Sequence, residues 1–252
     1  MTWPLETVWE QSVARLPGLT AELLPEIDST NSELMRRARG GQLDAVVLVA
    51  EQQTAGRGRL GRTWHSEPGA SLTFSVGRVL EPQSWWGLSL AVGAAIAEAL
   101  HPSVRLKWPN DLWVGDAKLG GILIETAGAG PDTQARYAIV GVGLNVRARP
   151  ADGLSTPPAF LQQLHPGMDA GAALLAIMPP LVAALQRFEA EGFAPFRDAF
   201  GRRDALAGRP VRLSDGTAGI AQGVDGQGAL LVHTAAGPVA VTSSEVSVRP
   251  AD

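Results

Sequence analysis

The sequence predicts an α+β protein, a mixed β-sheet domain flanked by helices and followed by a small all-β unit. Three observations predict it. Up to Asp204, short apolar β-rich runs are interleaved with helical stretches. From Val211 to Val248 the chain gives short strands parted by turns at Asp215-Gly216, Asp225-Gly226 and Ala236-Gly237. The length, 252 residues, suits a medium domain with a small appendix. The boundary is expected near Leu206 to Arg209, dividing residues 1–206 from 207–252.

Taken in order, Val8 to Leu16 has weak helical patterning. Thr30 and Glu33 stand at capping-box spacing before a helix over Ser32 to Arg39, which Gly40 and Gly41 end. Ala45 to Ala50 reads as a buried strand, Gly56 to Arg62 as a Gly/Arg loop, and Leu72 to Val79 as an alternating strand. Trp85 to Leu100 is an Ala-rich helix, apolar on several faces and therefore buried. Val104 to Trp108 is a strand broken by Pro109-Asn110-Asp111. Leu112 to Val114 and Lys118 to Glu125 flank Gly115-Asp116 as a hairpin, and a loop at Gly128 to Thr133 leads to a strand over Arg136 to Val146. Pro157 to Phe200 is helical, with a break or kink expected at Pro179-Pro180.

Composition narrows the chemistry. Hydrophobic residues make up 45% and charged residues 18%, the balance of a folded chain. A net charge of -4 argues against a dedicated nucleic-acid binder. With no cysteine there is no disulfide, thiolate metal site or cysteine nucleophile, and the four histidines give no pair at zinc-ligand spacing. Met1 to Glu10 lacks the apolar core of a secretory signal, and the apolar stretch Leu88 to Leu100 is too short for a bilayer. A cytoplasmic protein without membrane contact is expected.

Five segments bear on the chemistry. In Gly56-Arg57-Gly58-Arg59-Leu60-Gly61-Arg62, glycines let backbone amides turn inward and arginines add donors matched to carboxylate and phosphate. The alternative is a solvated basic loop or a small nucleic-acid contact; a P-loop is absent. Lys107-Trp108-Pro109-Asn110-Asp111 and Lys118-Leu119-Gly120-Gly121-Ile122-Leu123-Ile124-Glu125 place lysines on strands and paired glycines where a ligand could approach the backbone. Asp111 could bind Mg²⁺ or orient a lysine. An edge strand with exposed lysines is the plainer reading. In Gly141-Val142-Gly143-Leu144-Asn145 alternate glycines bare one face, for a ligand or a tight sheet crossing. Ser29-Thr30-Asn31 is explained by capping alone.

The segments beginning at Gly56, Lys107, Lys118 and Gly141, in that order, resemble the motifs of the biotin–protein ligases, as do Ser29-Thr30-Asn31 and Glu51-Gln52-Gln53-Thr54-Ala55. The resemblance runs from about Leu24 to Val146 and resumes in the C-terminal unit. It implies a fold like that of class II aminoacyl-tRNA synthetases and biotin ligases, with a C-terminal SH3-like β-barrel. It implies an enzyme that joins biotin to AMP from ATP, with Mg²⁺, and passes biotin to a lysine of the biotin carboxyl carrier protein of a carboxylase. Catalytic roles would fall to Lys118, Arg57 and Asp111, the last also holding the metal. Biotin would lie among Ser29, Thr30, Asn31, Gln53, Gly56, Arg57, Arg59, Lys118, Gly120, Gly121 and Ile122. The nucleotide would meet Arg59, Arg62, Trp64, Lys107, Asn110, Asn145 and, from Glu245-Val246-Ser247-Val248-Arg249, Arg249.

The sequence departs from the family at Ser66-Glu67, where Ser-Pro is frequent. Some members carry an N-terminal DNA-binding domain. Only about two dozen residues precede the motif region here, so the resemblance implies no specific DNA binding. Monomer and homodimer both stay open. Two alternatives remain. One is a lipoate–protein ligase, whose RR…GGG motif is faintly matched by Arg36-Arg37-Ala38-Arg39-Gly40-Gly41. The other is a non-catalytic binder of biotin or RNA.

Overall fold

The structure, a computed structural model, describes residues 3–130, 133–148, 156–242 and 248–250. Among the described residues there are five α-helices: α1 (Leu5–Val13), α2 (Thr30–Arg39), α3 (Leu88–Leu100), α4 (Ala170–Glu191) and α5 (Arg197–Arg203). The first seven strands are β1 (Thr20–Ile27), β2 (Val46–Gln53), β3 (Ser71–Leu80), β4 (Arg105–Lys107), β5 (Asp111–Val114), β6 (Ala117–Gly128) and β7 (Arg136–Asn145). They form one sheet in the order β1-β2-β3-β7-β6-β5-β4, parallel at β1/β2 and antiparallel elsewhere. The remaining strands are β8 (Pro210–Leu213), β9 (Ala218–Val224), β10 (Leu230–Thr234), β11 (Gly237–Val241) and β12 (Val248–Pro250). They make a five-stranded antiparallel sheet in the order β11-β10-β9-β8-β12.

Strand periodicity divides the core. Val47 and Val49 of β2 join α3 and α4 in the main cluster, whereas Val46 and Leu48 face the opposite way and pack with Leu34 and Ala38 of α2. The α4 helix is long and apolar enough to cross a membrane, but here its apolar residues Ile177, Leu181 and Phe188 are core. The main cluster runs without interruption into the second sheet through Val211, Ala221 and Val232. Polar joints reinforce the junction: Trp108 Nε1 donates to the Gly228 carbonyl at 3.0 Å, and Arg209 meets Asp116 at 2.6 Å.

Three expectations need correction. Ser29, not Thr30, is the N-cap of α2; its side chain accepts from Ser32 N, while Glu33 pairs with Arg36 and Arg37. The strand β1 was not foreseen because its sequence lacks alternation and contains Pro25. As an edge strand it tolerates a residue with no N–H, and Pro25 takes no place in the pairing register with β2. Pro179 and Pro180 do not break the helix; α4 runs through both, held by the packing of its buried face. That continuity has a measurable cost, because an interior proline removes a helix hydrogen bond and its ring crowds the carbonyl four residues back. Pro180→Ala is therefore expected to raise unfolding stability by about 1–2 kcal/mol in chemical denaturation. A loss of stability would show that the ring's packing outweighs the restored hydrogen bond.

Candidate active site

On the α2 face of the first sheet, three glycines leave the floor without side chains. Gly121 of β6 lies opposite Gly143 of β7, and Gly141 follows two residues before it on the same face. Each is covered by something specific. A Cβ on Gly141 would overlap the Asn31 amide, one on Gly143 the Trp64 indole, and one on Gly121 would touch Lys118 Nζ and Asp111 Oδ1. Asn31, Trp64 and the Lys118–Asp111 pair thus rest directly on backbone. Gly120 faces elsewhere, against Leu144 and the Gly143 carbonyl, and is not part of this floor.

A β-bulge aims Lys118. Asp111 pairs with Gly121 and Leu112 with Gly120, but Trp113 pairs with Lys118, so Leu119 is the extra residue on β6. Lys118 thereby shares a face with Asp111 and Gly121. Its backbone is held from outside the sheet: its N–H donates to the Pro157 carbonyl at 2.7 Å, and its carbonyl accepts from Ala159 N at 2.9 Å and Asn145 Nδ2 at 3.1 Å. Asn110 Nδ2 likewise donates to the Ile122 carbonyl at 2.8 Å. Both asparagines therefore brace β6 under the site.

Charge converges here. Lys118 Nζ is 2.7 Å from Asp111 Oδ1, and Lys107 Nζ is 3.9 Å from Asp111 Oδ2 and 5.3 Å from the centre of the Trp113 ring. Burial holds the Lys107 amine below the ordinary lysine range; Asp111 opposes this, and Lys118, Arg62 and Arg249 add to it. The flap Gly56–Trp64 closes the cleft as a short hairpin, with Trp64 N bonded to the Gly56 carbonyl and Gly58 N to that of Arg62. Its tip residue Leu60 is in the left-handed region at φ 56°, and Gly56 is required because a Cβ would overlap the Trp64 carbonyl. Arg59 is half-buried and interacts electrostatically with Asp111 and Arg62. Arg57 is turned to the other end of the cleft, paired with Glu125 and 3.4 Å from Ser32 Oγ.

One cleft is lined by Ser29, Thr30, Asn31, Gln53, Arg57, Arg59, Arg62, Trp64, Lys107, Asn110, Asp111, Lys118, Gly121 and Ile122. Sequence reasoning thus named most of its lining. Gly56, Gly120 and Asn145 stand just behind it, the two glycines as close-packing residues and the asparagine as a brace, and Arg249 reaches it electrostatically beside the lining residue Val248. Residues 245–247 of that last motif lie outside the described residues. The polar partners Ser75, Glu125 and Ser66 were missed, because a lone serine or glutamate, on a strand or in a loop, carries no spacing signal. Ser66 Oγ accepts from Gln53 N at 2.8 Å, which fixes the loop where the sequence departs from the family. Arg36 and Arg37, the basis of the lipoate-ligase comparison, pair instead with Asp28, Glu33 and Glu22.

Asp111 is the one carboxylate among the described residues lining the cleft, and no group of three or more metal-ligating side chains occurs among the described residues. Removing it strips both lysines of their counter-charge. Asp111→Ala is expected to lower stability at neutral pH by about 2–3 kcal/mol. Because the native Lys107 pKa lies below its unfolded value, the native state binds fewer protons between the two, so stability rises with pH there. The deficit of the variant should therefore shrink in denaturation curves taken toward pH 10; a deficit that grows with pH would contradict the charge argument.

Residues 23–145 match the family model described as Biotin/lipoate A/B protein ligase family, and residues 207–249 match Biotin protein ligase C terminal domain. The chain is 37% identical to the Bifunctional ligase/repressor BirA of Escherichia coli, over 96% of this chain and 78% of that protein. It is 36% identical to the Biotin--[acetyl-CoA-carboxylase] ligase of Paracoccus denitrificans, over 89% of this chain and 98% of that protein. Among solved structures, the biotin protein ligase of Aquifex aeolicus in complex with biotin and ATP superposes with a TM-score of 0.78 at 28% identity, covering 92% of this chain and 99% of that one. A glycine floor, an arginine flap and a bulge-aimed lysine, found in a chain with these relatives, carry one conclusion: the chain belongs to the biotin/lipoate A/B protein ligase family, among its biotin–protein ligases.

Proposed function

We propose that this cleft activates biotin with ATP to biotinyl-5'-AMP and then passes biotin to a lysine of a biotin carboxyl carrier protein, the acceptor unit of a carboxylase. The observation that carries the proposal is the shared cleft, in which Lys107, Lys118, Arg59 and Arg62 face a single carboxylate, Asp111. Such an excess of positive charge suits two anionic reactants whose mutual repulsion must be cancelled.

At the head of the cleft, Gln53 Oε1 accepts from Thr30 N at 2.8 Å and lies 3.1 Å from Thr30 Oγ1. Those oxygens suit the N–H groups of a cyclic urea, which a dithiolane ring lacks; this favours biotin over lipoate. Ser29, Thr30, Asn31 and Gln53 hold the ring, and Gly121 and Ile122 lie beneath the chain of the ligand. Lys118 meets the biotin carboxylate and the α-phosphate, and Arg59 reaches the same anions beneath the flap, while Arg57 keeps its place at Glu125. Trp64, Arg62, Lys107, Asn110 and Arg249 face the nucleotide.

The biotin carboxylate oxygen attacks the α-phosphorus, pyrophosphate leaves, and the mixed anhydride stays under the flap, away from water. The acceptor amine then attacks the carbonyl carbon and AMP leaves, with Asp111 taking the amine proton. Mg²⁺ would be held mainly by triphosphate oxygens with Asp111 as its protein ligand, and would offset phosphate charge. Residues 1–206 form the catalytic unit and 207–252 its C-terminal companion, acting in the cytoplasm.

Pyrophosphate–ATP exchange tests the reading: exchange is expected with biotin and not with lipoate or without either acid. Lys118→Ala should lower the biotin-dependent rate about 100- to 1,000-fold with the fold intact by circular dichroism. Lipoate-driven exchange, or a Lys118→Ala rate near that of the parent, would overturn it.

A further inference from the structure

Glu125 of β6 takes no part in the chemistry described, yet its carboxylate joins two parts of the cleft. One oxygen pairs with Arg57 of the flap. The other accepts from Asn31 Nδ2 at 3.0 Å. The same Nδ2 donates to the Leu123 carbonyl at 3.1 Å, so two acceptors fix which way the Asn31 amide points. Its Oδ1 can then only accept, and Ser75 Oγ stands 2.6 Å from it.

Proton counting carries this inward. Ser75 Oγ is also 2.7 Å from Thr30 Oγ1, which is 3.1 Å from Gln53 Oε1. Three oxygen–oxygen contacts share two hydroxyl protons, so one contact has none. The two short contacts require a proton between their oxygens, and the longest does without. Ser75 therefore donates to Asn31, Thr30 donates to Ser75, and lone pairs of Thr30 and Gln53 are left facing the head of the cleft. The direction of this chain is set at its outer end by the Asn31 amide, which Glu125 and the Leu123 carbonyl hold in place.

We propose that Glu125 is a positioning residue which locks the flap to the head of the cleft. Through Arg57 it holds the flap down, and through Asn31 it fixes the hydroxyl chain that presents acceptors to the ring. The inference rests on the biotin ligase reading and deepens it: flap closure and ring recognition share one carboxylate.

Two substitutions in the full-length enzyme separate the functions. Glu125→Gln keeps an oxygen for Asn31 and loses the charge that holds Arg57. Glu125→Ala loses both. The readouts are the release rate of preformed radiolabelled biotinyl-adenylate chased with unlabelled biotin and ATP, the KM for biotin in exchange, and the melting temperature. Glu125→Gln is expected to speed adenylate release about two- to fivefold, the scale of a half-exposed ion pair, with the biotin KM within about twofold. Glu125→Ala should release as fast and also raise the biotin KM about fivefold or more, because a lost charge-assisted hydrogen bond is of that size. Unchanged release in Glu125→Gln, or equal KM values in the two variants, overturns the proposal. Should the parent enzyme show no biotin-dependent exchange, the ligase reading itself fails; this is a separate result, seen before either variant is made.

Discussion

The site depends on backbone laid bare. Gly121, Gly141 and Gly143 keep one face of two adjacent strands free of side chains, and on that face Asn31, Trp64 and the Lys118–Asp111 pair are seated. A methyl group at Gly141 or Gly143 would displace Asn31 or Trp64, and one at Gly121 would lie in contact with Lys118 and Asp111. The glycines weaken the strands they occupy, by roughly 0.5–1 kcal/mol each relative to alanine. The buried partners on the other face, among them Val140, Val142 and Leu144, offset that loss.

Electrostatics follow from the same floor. Groups resting on buried backbone are partly out of water, where charges 4 Å apart interact by about 4 kcal/mol rather than the ~1 kcal/mol of bulk solvent. Asp111 with two lysines on it, and Arg62 and Arg249 acting on Lys107, leave the cleft short of negative charge. In the proposed reaction the anions of substrate would complete that balance.

Much of this was legible in the sequence, and the reasons differ by element. The glycine pairs and the GRGRLGR flap are dense local signals, since glycine and arginine at such spacing have few structural uses. Strand β2 and helix α3 followed from apolar runs. Strand β1 did not, because an edge strand need not alternate and may contain a proline. The continuity of α4 through Pro179-Pro180 was equally hidden, since tertiary packing there overrides a local preference. In the site, Ser75 and Glu125 escaped notice because their meaning lies in partners 44 and 94 residues distant along the chain, in both cases Asn31. Arg57, given a catalytic role by the resemblance, is paired with Glu125, and Arg59 and Arg62 are the flap arginines coupled to the Asp111 and Lys107 charges.

The extra residue at Leu119 makes the hairpin of β5 and β6 a matter of parity. A strand alternates its side chains between two faces, so an odd count of inserted residues inverts everything beyond it and an even count restores it. Lys118 owes its aim to one such inversion. Length changes between Lys118 and Gly121 are thus tolerable only in twos: one residue more or fewer there would turn the lysine toward the opposite side of the sheet, into hydrocarbon, however well the rest of the molecule folded.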